Sequence, residues 1–328
     1  MKNMKKNNFI KPNIFDFATK ELSQDAFIAW LLSWAEPVYA KTYNELHECS
    51  IKLIKKLSDD NIDYVNDIEI IPQWNNIDIL VIINNSKLLV IEDKTNSEEH
   101  NNQLIRYKDL VDNEFENHKK DYIYFKTGNE SQKRLRKVES QEFKTFLRAD
   151  FLNILGQFDI QNDIYNDFKD RLLFIDYETN KWKNKKIDDC NELNIQGFFQ
   201  ALERKYEDII DWGYAAKGNI WYIILKWVNI DNKTAIYLEL DADLKNKKLT
   251  LLYKVNNSDN KTTVEDLTKY CNILKLKTNI KPKSNPKPAK YSVIASIHLS
   301  GSLISIVENI NSRFDEFDKF VEIIRNEG

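Results

Sequence analysis

Two apolar runs, Ile77–Ile83 and residues 88–91, are separated only by Asn84, Asn85, Ser86 and Lys87. Short runs on either side of a turn-forming cluster read as the strands of a buried β-hairpin. Yet the runs carry charge where such strands usually carry another Val or Ile. Asp78 sits inside the first, and Glu92, Asp93 and Lys94 close the second. Charges on a covered sheet must be paired, hydrogen-bonded or bound to metal, so the fold has to supply each of these groups with a partner.

Folding the runs about their turn sets residues whose numbers sum to about 170 to 172 opposite one another. Asp78 then lies across from Glu92 and Asp93. Alternate side chains of a strand share a face, so Glu92 and Lys94 point one way and Asp93 the other. With Asp78 on the Glu92 face, two carboxylates and one ammonium meet. Converging carboxylates make a hard oxygen site suited to Mg²⁺ or Mn²⁺. Such a metal polarises a phosphodiester, and a neighbouring lysine holds the attacking water or offsets charge growing on the phosphate. The constellation suits phosphodiester hydrolysis.

The flanking sequence predicts an α/β unit. Residues 21–35 read as a buried helix with Ser23 as its cap, residues 43–57 as an amphipathic helix, and residues 63–74 as a first strand. A helix is expected from about Glu98, capped by Ser97, with Glu98 and Glu99 at its positive end. A strand at 121–129, helices across 131–172 and a closing strand at 171–179 ("RLLFIDYET") complete a mixed sheet. Beyond Thr179 the texture changes. A charged connector (180–189) and a helix (198–210) lead to three strands at 219–228, 234–243 and 248–255, which read as an antiparallel meander. A proline-containing loop (281–290), a strand (291–300) and a terminal helix (303–325) follow. The expected division is residues 1–180 and residues 181–328, the second an α+β region for binding substrate or a partner.

Asp78 within "NIDILVI", followed by Glu92-Asp93-Lys94 at the end of the next strand, resembles the D…(D/E)-x-K motif of the PD-(D/E)XK nuclease superfamily. Pro72 lies six residues before Asp78, displaced from the motif's usual proline. "QLIRY" places Gln103 and Tyr107 on one helical face, similar to the Q-x-x-x-Y element of RecB-like members. "ELSQDAFIAWLL" resembles the first helix of a bacterial subfamily, in which Glu is followed by His-Ser; here Glu21 is followed by Gln24-Asp25. The resemblance covers residues 14–175. It implies a restriction-endonuclease-like αβββαβ core and a metal-dependent nuclease acting on DNA. In that reading Asp78, Glu92 and the main-chain carbonyl of Asp93 hold Mg²⁺ or Mn²⁺, and Lys94 positions the water. Gln103 and Tyr107 orient that water or hold the phosphate backbone. Glu21 is a further metal-ligand candidate, with Glu45 and Glu48 as alternatives, and the Asp93 side chain points away.

Composition narrows the choices. With only 7 glycines in 328 residues and no Walker A, G-x-G-x-x-G or G-x-S-x-G element, phosphate-cradling loops and serine hydrolase elbows are excluded. Cys49, Cys190 and Cys271 are widely spaced, and no histidine pair has metal-ligand spacing. A net charge of -3 argues against a protein that merely coats nucleic acid. Of three basic runs, "QKRLRK", "KWKNKK" and "KPKSNPKPAK", one is expected to meet phosphates. The longest apolar stretch, residues 26–35, is far short of the ~20 residues that span a bilayer. A cytoplasmic protein with a nucleic-acid partner, and with a protein partner or a second copy of itself, is expected. The competing reading is a catalytically silent protein on the same fold, a scaffold or a nucleic-acid-binding subunit of a larger complex.

Overall fold

The structure, a computed structural model, describes residues 12–18, 21–97, 102–257, 262–278 and 280–327. The chain divides into two compact units, Met1–Glu130 with Arg134–Asp176, and Ser131–Lys133 with Tyr177–Gly328.

In the first unit α1 (Glu21–Ser33) and α2 (Asn44–Leu57) precede a meander of β1 (Ile68–Trp74), β2 (Ile77–Ile83) and β3 (Lys87–Lys94). Then come α3 (Gln103–Glu114), β4 (Lys119–Lys126), α4 (Gln132–Glu139), β5 (Lys144–Leu147), α5 (Arg148–Leu155) and α6 (Asp163–Asn180). The strands form one sheet in the order β1-β2-β3-β4-β5. Its β1/β2 and β2/β3 pairs are antiparallel, and its β3/β4 and β4/β5 pairs parallel. β3, at the centre, is buried along its whole length. Odd-numbered side chains such as Ile79, Leu89 and Ile91 pack with helices α1, α2, α5 and α6. Even-numbered ones such as Leu80, Leu88 and Val90 pack with α3 and α4. Two covered faces explain why these strands read as apolar runs without alternation.

Asparagine makes both turns of the meander. Asn75 and Asn76, with φ of 49° and 69°, close the two-residue β1–β2 connection, and Asn84 and Asn85 take φ of 51° between β2 and β3. Asn tolerates the left-handed region that such hairpin turns demand.

Four expectations for this unit are corrected. Residues 171–179 are not a strand; they are the second half of α6. Tyr165, Phe168 and Leu172, spaced three and four apart, are all buried whereas Leu173 is exposed, which is a helical stripe. The fifth strand is instead β5, inside a stretch read as helical, where Phe146 packs on Phe125 with ring centroids 4.7 Å apart. Finally, α1 starts at Glu21, so Ser23 lies within it, and α3 starts at Gln103. The expected cap Ser97 bonds elsewhere, and Glu98 and Glu99 lie outside the described residues.

The second unit holds α7 (Glu192–Lys205), β6 (Asp211–Ala215), β7 (Ile220–Asn229), β8 (Thr234–Asp243), β9 (Lys248–Asn257), α8 (Val264–Lys277), β10 (Tyr291–Leu299), α9 (Leu303–Asn309) and α10 (Asn311–Glu327). Its five strands form an antiparallel sheet ordered β10-β9-β8-β7-β6. The meander is as expected; β6 and α8 are additional, α7 ends at Lys205 rather than 210, and the terminal helix is broken at Ile310. Even-numbered residues of β8, Ile236, Leu238 and Leu240, face the helices.

Candidate active site

The β2/β3 register pairs Ile79 with Ile91, and one further step sets Asp78 opposite Glu92. Both lie on the face that carries Leu80 and Val90. Lys94, two residues beyond Glu92, shares that face: its Nζ bonds Glu92 Oε1 and lies 3.7 Å from Asp78 Oδ2. Glu92 is 1% exposed; its carboxyl bonds that of Asp78, and its second oxygen, Oε2, is buried with no other partner. Burial first, then the nearby Asp78 carboxylate, push the Glu92 carboxyl up to about 8 despite Lys94. Burial pulls the Lys94 ammonium down, but Glu92, Asp78 and Glu21 outweigh it and hold its pKa above the ordinary lysine value.

Asp93 turns to the other face, as alternation requires. Its Oδ1 accepts a hydrogen bond from Gln24 Nε2 at 2.5 Å, and its carboxyl bonds that of Asp25. Its main-chain N–H donates to Asp78 Oδ2 at 2.8 Å, so the strand backbone itself orients Asp78. Burial, then Asp25, hold the Asp93 carboxyl well above the usual range, and burial raises Asp25 to about 6. Asp25 Oδ1 and Asp93 Oδ2 have no other partner, which fits one proton shared between the two groups, donated by Asp93.

Glu21, the further metal-ligand candidate, bears on Lys94 and on the loop that follows it. Its Oε1 accepts from Thr95 N (3.0 Å), Ser97 N (3.4 Å) and Ser97 Oγ (2.6 Å), gripping the loop that leaves β3. Burial opposes its ionisation, but Ser97, Thr95 and Lys94 together hold its pKa below the usual value. Glu45 and Glu48 are exposed on α2, where Glu48 accepts from Asn44. Tyr107 is buried against the sheet; its hydroxyl donates to Asn76 O at 2.5 Å and accepts from Gln103 Nε2 at 2.7 Å. Both residues of the helical pair therefore bear on the turn just before Asp78.

Three residues around this cluster carried no individual signal in the sequence. Lys126 lies beside Lys94 in the parallel β3/β4 ladder, 1% exposed, donating to Ser97 O at 2.6 Å and pairing with Glu130 at 3.2 Å. Gln73 donates to both Asp25 and Asp78. Gly128 follows β4 so closely behind Thr95 that a Cβ would lie 1.8 Å from the Thr95 carbonyl oxygen, so no other residue fits there. The two-residue Asn75-Asn76 turn is the signal that would have set Gln73 across from Asp78.

Among the described residues no group of three or more His, Cys, Asp or Glu side chains is disposed to hold a metal ion. The oxygen donors that converge are the Asp78 and Glu92 carboxylates. They fit a hard divalent cation: Glu92 Oε2 is a buried oxygen with no partner besides the neighbouring Asp78 carboxyl, and among the described residues Lys94 is the one cation that pairs with both acids.

A sequence model of the PD-(D/E)XK nuclease superfamily matches residues 12–196, more than half of the chain. The chain belongs to that superfamily. The match spans the hairpin, the Gln103–Tyr107 helix and α1, and the mixed five-stranded sheet agrees with the superfamily's fold. No curated protein and no solved structure matches. Among the described residues no helix is long and apolar enough to cross a membrane.

Proposed function

We propose that this chain is a divalent-metal-dependent nuclease that hydrolyses phosphodiester bonds in DNA. The observation that carries the reading is the meeting of Asp78, Glu92 and Lys94 on one face of β2 and β3, with Glu92 Oε2 buried and bonded to nothing besides the Asp78 carboxyl. Asp78, Glu92 and the Asp93 main-chain carbonyl would hold Mg²⁺ or Mn²⁺. When bound, the ion supplies Lewis-acid polarisation of a phosphoryl oxygen and lowers the pKa of a water.

The chain's own residues do the rest. The Lys94 ammonium orients the attacking water and offsets negative charge growing on the phosphate. The main-chain N–H of Asp93 and the amide of Gln73 keep Asp78 in place. Tyr107 anchors the turn before Asp78, and Gln103, bonded to it, is proposed to face the phosphate backbone, in keeping with a RecB-like member. Residues 181–328 are proposed to recognise substrate or a protein partner, with the basic connector 180–189 at their start, and the protein to act in the cytoplasm. The test is cleavage of plasmid, linear duplex, single-stranded DNA and RNA with Mg²⁺ or Mn²⁺ by wild type and Lys94→Ala. Metal-dependent cleavage by wild type alone is expected. Cleavage by both overturns the role of Lys94, and an inert wild type that binds no metal in calorimetry favours the scaffold.

A further inference from the structure

Gln73 is the member of β1 that faces Asp78, since Pro72 pairs with Ile79 and Trp74 with Ile77 on either side of it. Its backbone does not follow the strand: φ is 55°, in the left-handed region. Asn75 and Asn76 take that region because a two-residue turn needs it, and Asn accepts it readily. Gln73 lies outside the turn, and its type seldom adopts this conformation unless the surroundings impose it.

The surroundings are two carboxylates. The Gln73 Nε2 group carries two N–H bonds, and it donates to Asp25 Oδ2 at 3.2 Å and to Asp78 Oδ1 at 3.4 Å. Asp25 is itself held: its carboxyl bonds Asp93, Asp93 accepts from Gln24, and Gln24 accepts from Thr127 Oγ1. Asp25, Gln24 and Asp93 are all at least nine-tenths buried, so this chain of contacts is fixed by packing on the α1 face of the sheet. Asp78 is thereby gripped at both oxygens, Oδ1 by Gln73 and Oδ2 by the Asp93 N–H, and each oxygen keeps a further lone pair.

We propose that Gln73 is a positioning residue that couples Asp78, on the site face, to the buried Gln24–Asp25–Asp93 group on the opposite face. Gln24 and Asp25 stand where the subfamily that α1 resembles has His-Ser, so the coupling would be a property of this chain. The inference rests on the metal-dependent nuclease reading, because the function of the relay is to hold Asp78 in the geometry that a cation requires. Partners one step behind a ligand typically govern metal affinity by about ten- to a hundredfold.

The test is Mn²⁺ titration calorimetry on the full chain, with circular dichroism to check the fold. Gln73→Gly releases the left-handed strain and removes the amide. Gln73→Asn tolerates the same backbone but is one methylene short, and serves if the glycine variant folds poorly. Either is expected to weaken Mn²⁺ binding about tenfold. Asp25→Ala is expected to weaken it similarly, while Asp25→Asn, which still accepts from Gln73, stays within about twofold of wild type. The double variant of Gln73→Gly and Asp25→Ala should be no weaker than the worse single one, because both break the same relay. Wild-type affinity in both Gln73 variants, or losses that simply add, overturns the relay and leaves the nuclease reading standing. A wild type that binds no Mn²⁺ removes the metal reading and the relay with it.

Discussion

In the first sheet, Asp78 and Glu92 reach Lys94 from two neighbouring strands; in the second, Glu239 and Asp241 lie two residues apart on β8, and Lys254 of β9 bonds Glu239. The residue types are the same and so is the burial: Glu239 is 7% exposed and Asp241 is half-buried. Carboxyls two apart on one strand face each other at short range, and here they hydrogen-bond; burial first, then Glu239, push Asp241 up to about 8. That cluster holds its charge through a hydrogen bond between the two carboxyls and a lysine, and so does the first, where the Glu92 carboxyl bonds that of Asp78. Each leaves one buried carboxyl oxygen, Asp241 Oδ1 and Glu92 Oε2, with no other partner, but Asp78 and Glu92 come from different strands. The comparison teaches that buried acid beside lysine does not define a site. Convergence from separate strands, at the end where β3 runs out into the Glu21-held loop, is the distinguishing feature.

The contrast can be broken by substitution, beginning with the largest effect. Glu92→Ala is expected to lower metal-dependent cleavage by at least ~100-fold with the fold intact by circular dichroism; near-normal plasmid nicking would mean the first cluster is no more a site than the second. Glu21→Gln keeps the shape but weakens three hydrogen bonds to Thr95 and Ser97. It should reduce cleavage about tenfold through a loosened loop after Lys94, with Mn²⁺ affinity in calorimetry affected much less.

The pH dependence sharpens the comparison further. A carboxyl whose folded pKa lies above its unfolded one adds stability that is full below the unfolded value and lost as pH rises through the folded one. For Glu92 that window runs from 4.5 to about 8 in metal-free protein. Metal-free wild type should therefore lose stability across this range, and Glu92→Gln should flatten the slope in thermal melts. Because a cation needs the carboxylate, Mn²⁺ should bind more tightly as pH rises toward 8.

Asp241 titrates over a similar window, from 3.8 to about 8, with the same sign. Asp241→Asn should remove that loss, raising stability at pH 9 relative to pH 5, while leaving cleavage within about twofold. A large loss of cleavage in that variant would assign chemistry to the second sheet.

The site was legible to different depths. Asp78, Glu92 and Lys94 stood out because charge within an apolar run contradicts its setting, and hairpin arithmetic brought them together. Gln103 and Tyr107 came from the resemblance to the Q-x-x-x-Y element, with helical spacing setting them on one face. Gln73 did not, because its part in the site depends on a left-handed backbone angle that nothing in "IPQWNN" announces. Glu21 was found, yet its partners were not: three hydrogen bonds to a loop more than seventy residues away are set by packing of α1. The Gln24-Asp25 pair was visible only as a departure from a pattern, and became intelligible once Asp93 lay beside it.

The fold shows the same division. By itself the sequence determined the central hairpin, the mixed character of the first sheet and the antiparallel meander of the second, because period and turn chemistry are local properties. It could not separate β5, four residues long, from the helices around it, nor the end of α6 from a strand, because short apolar runs suit both. Tertiary contact decided those: Phe146 found a strand edge and Phe125, while Tyr165, Phe168 and Leu172 found a core on one side of a helix. It also decided which acids face a common point and which resolve their charge with a neighbour. Residue type sets the cost of burying a charge, and only the assembled sheet determines what stands opposite it.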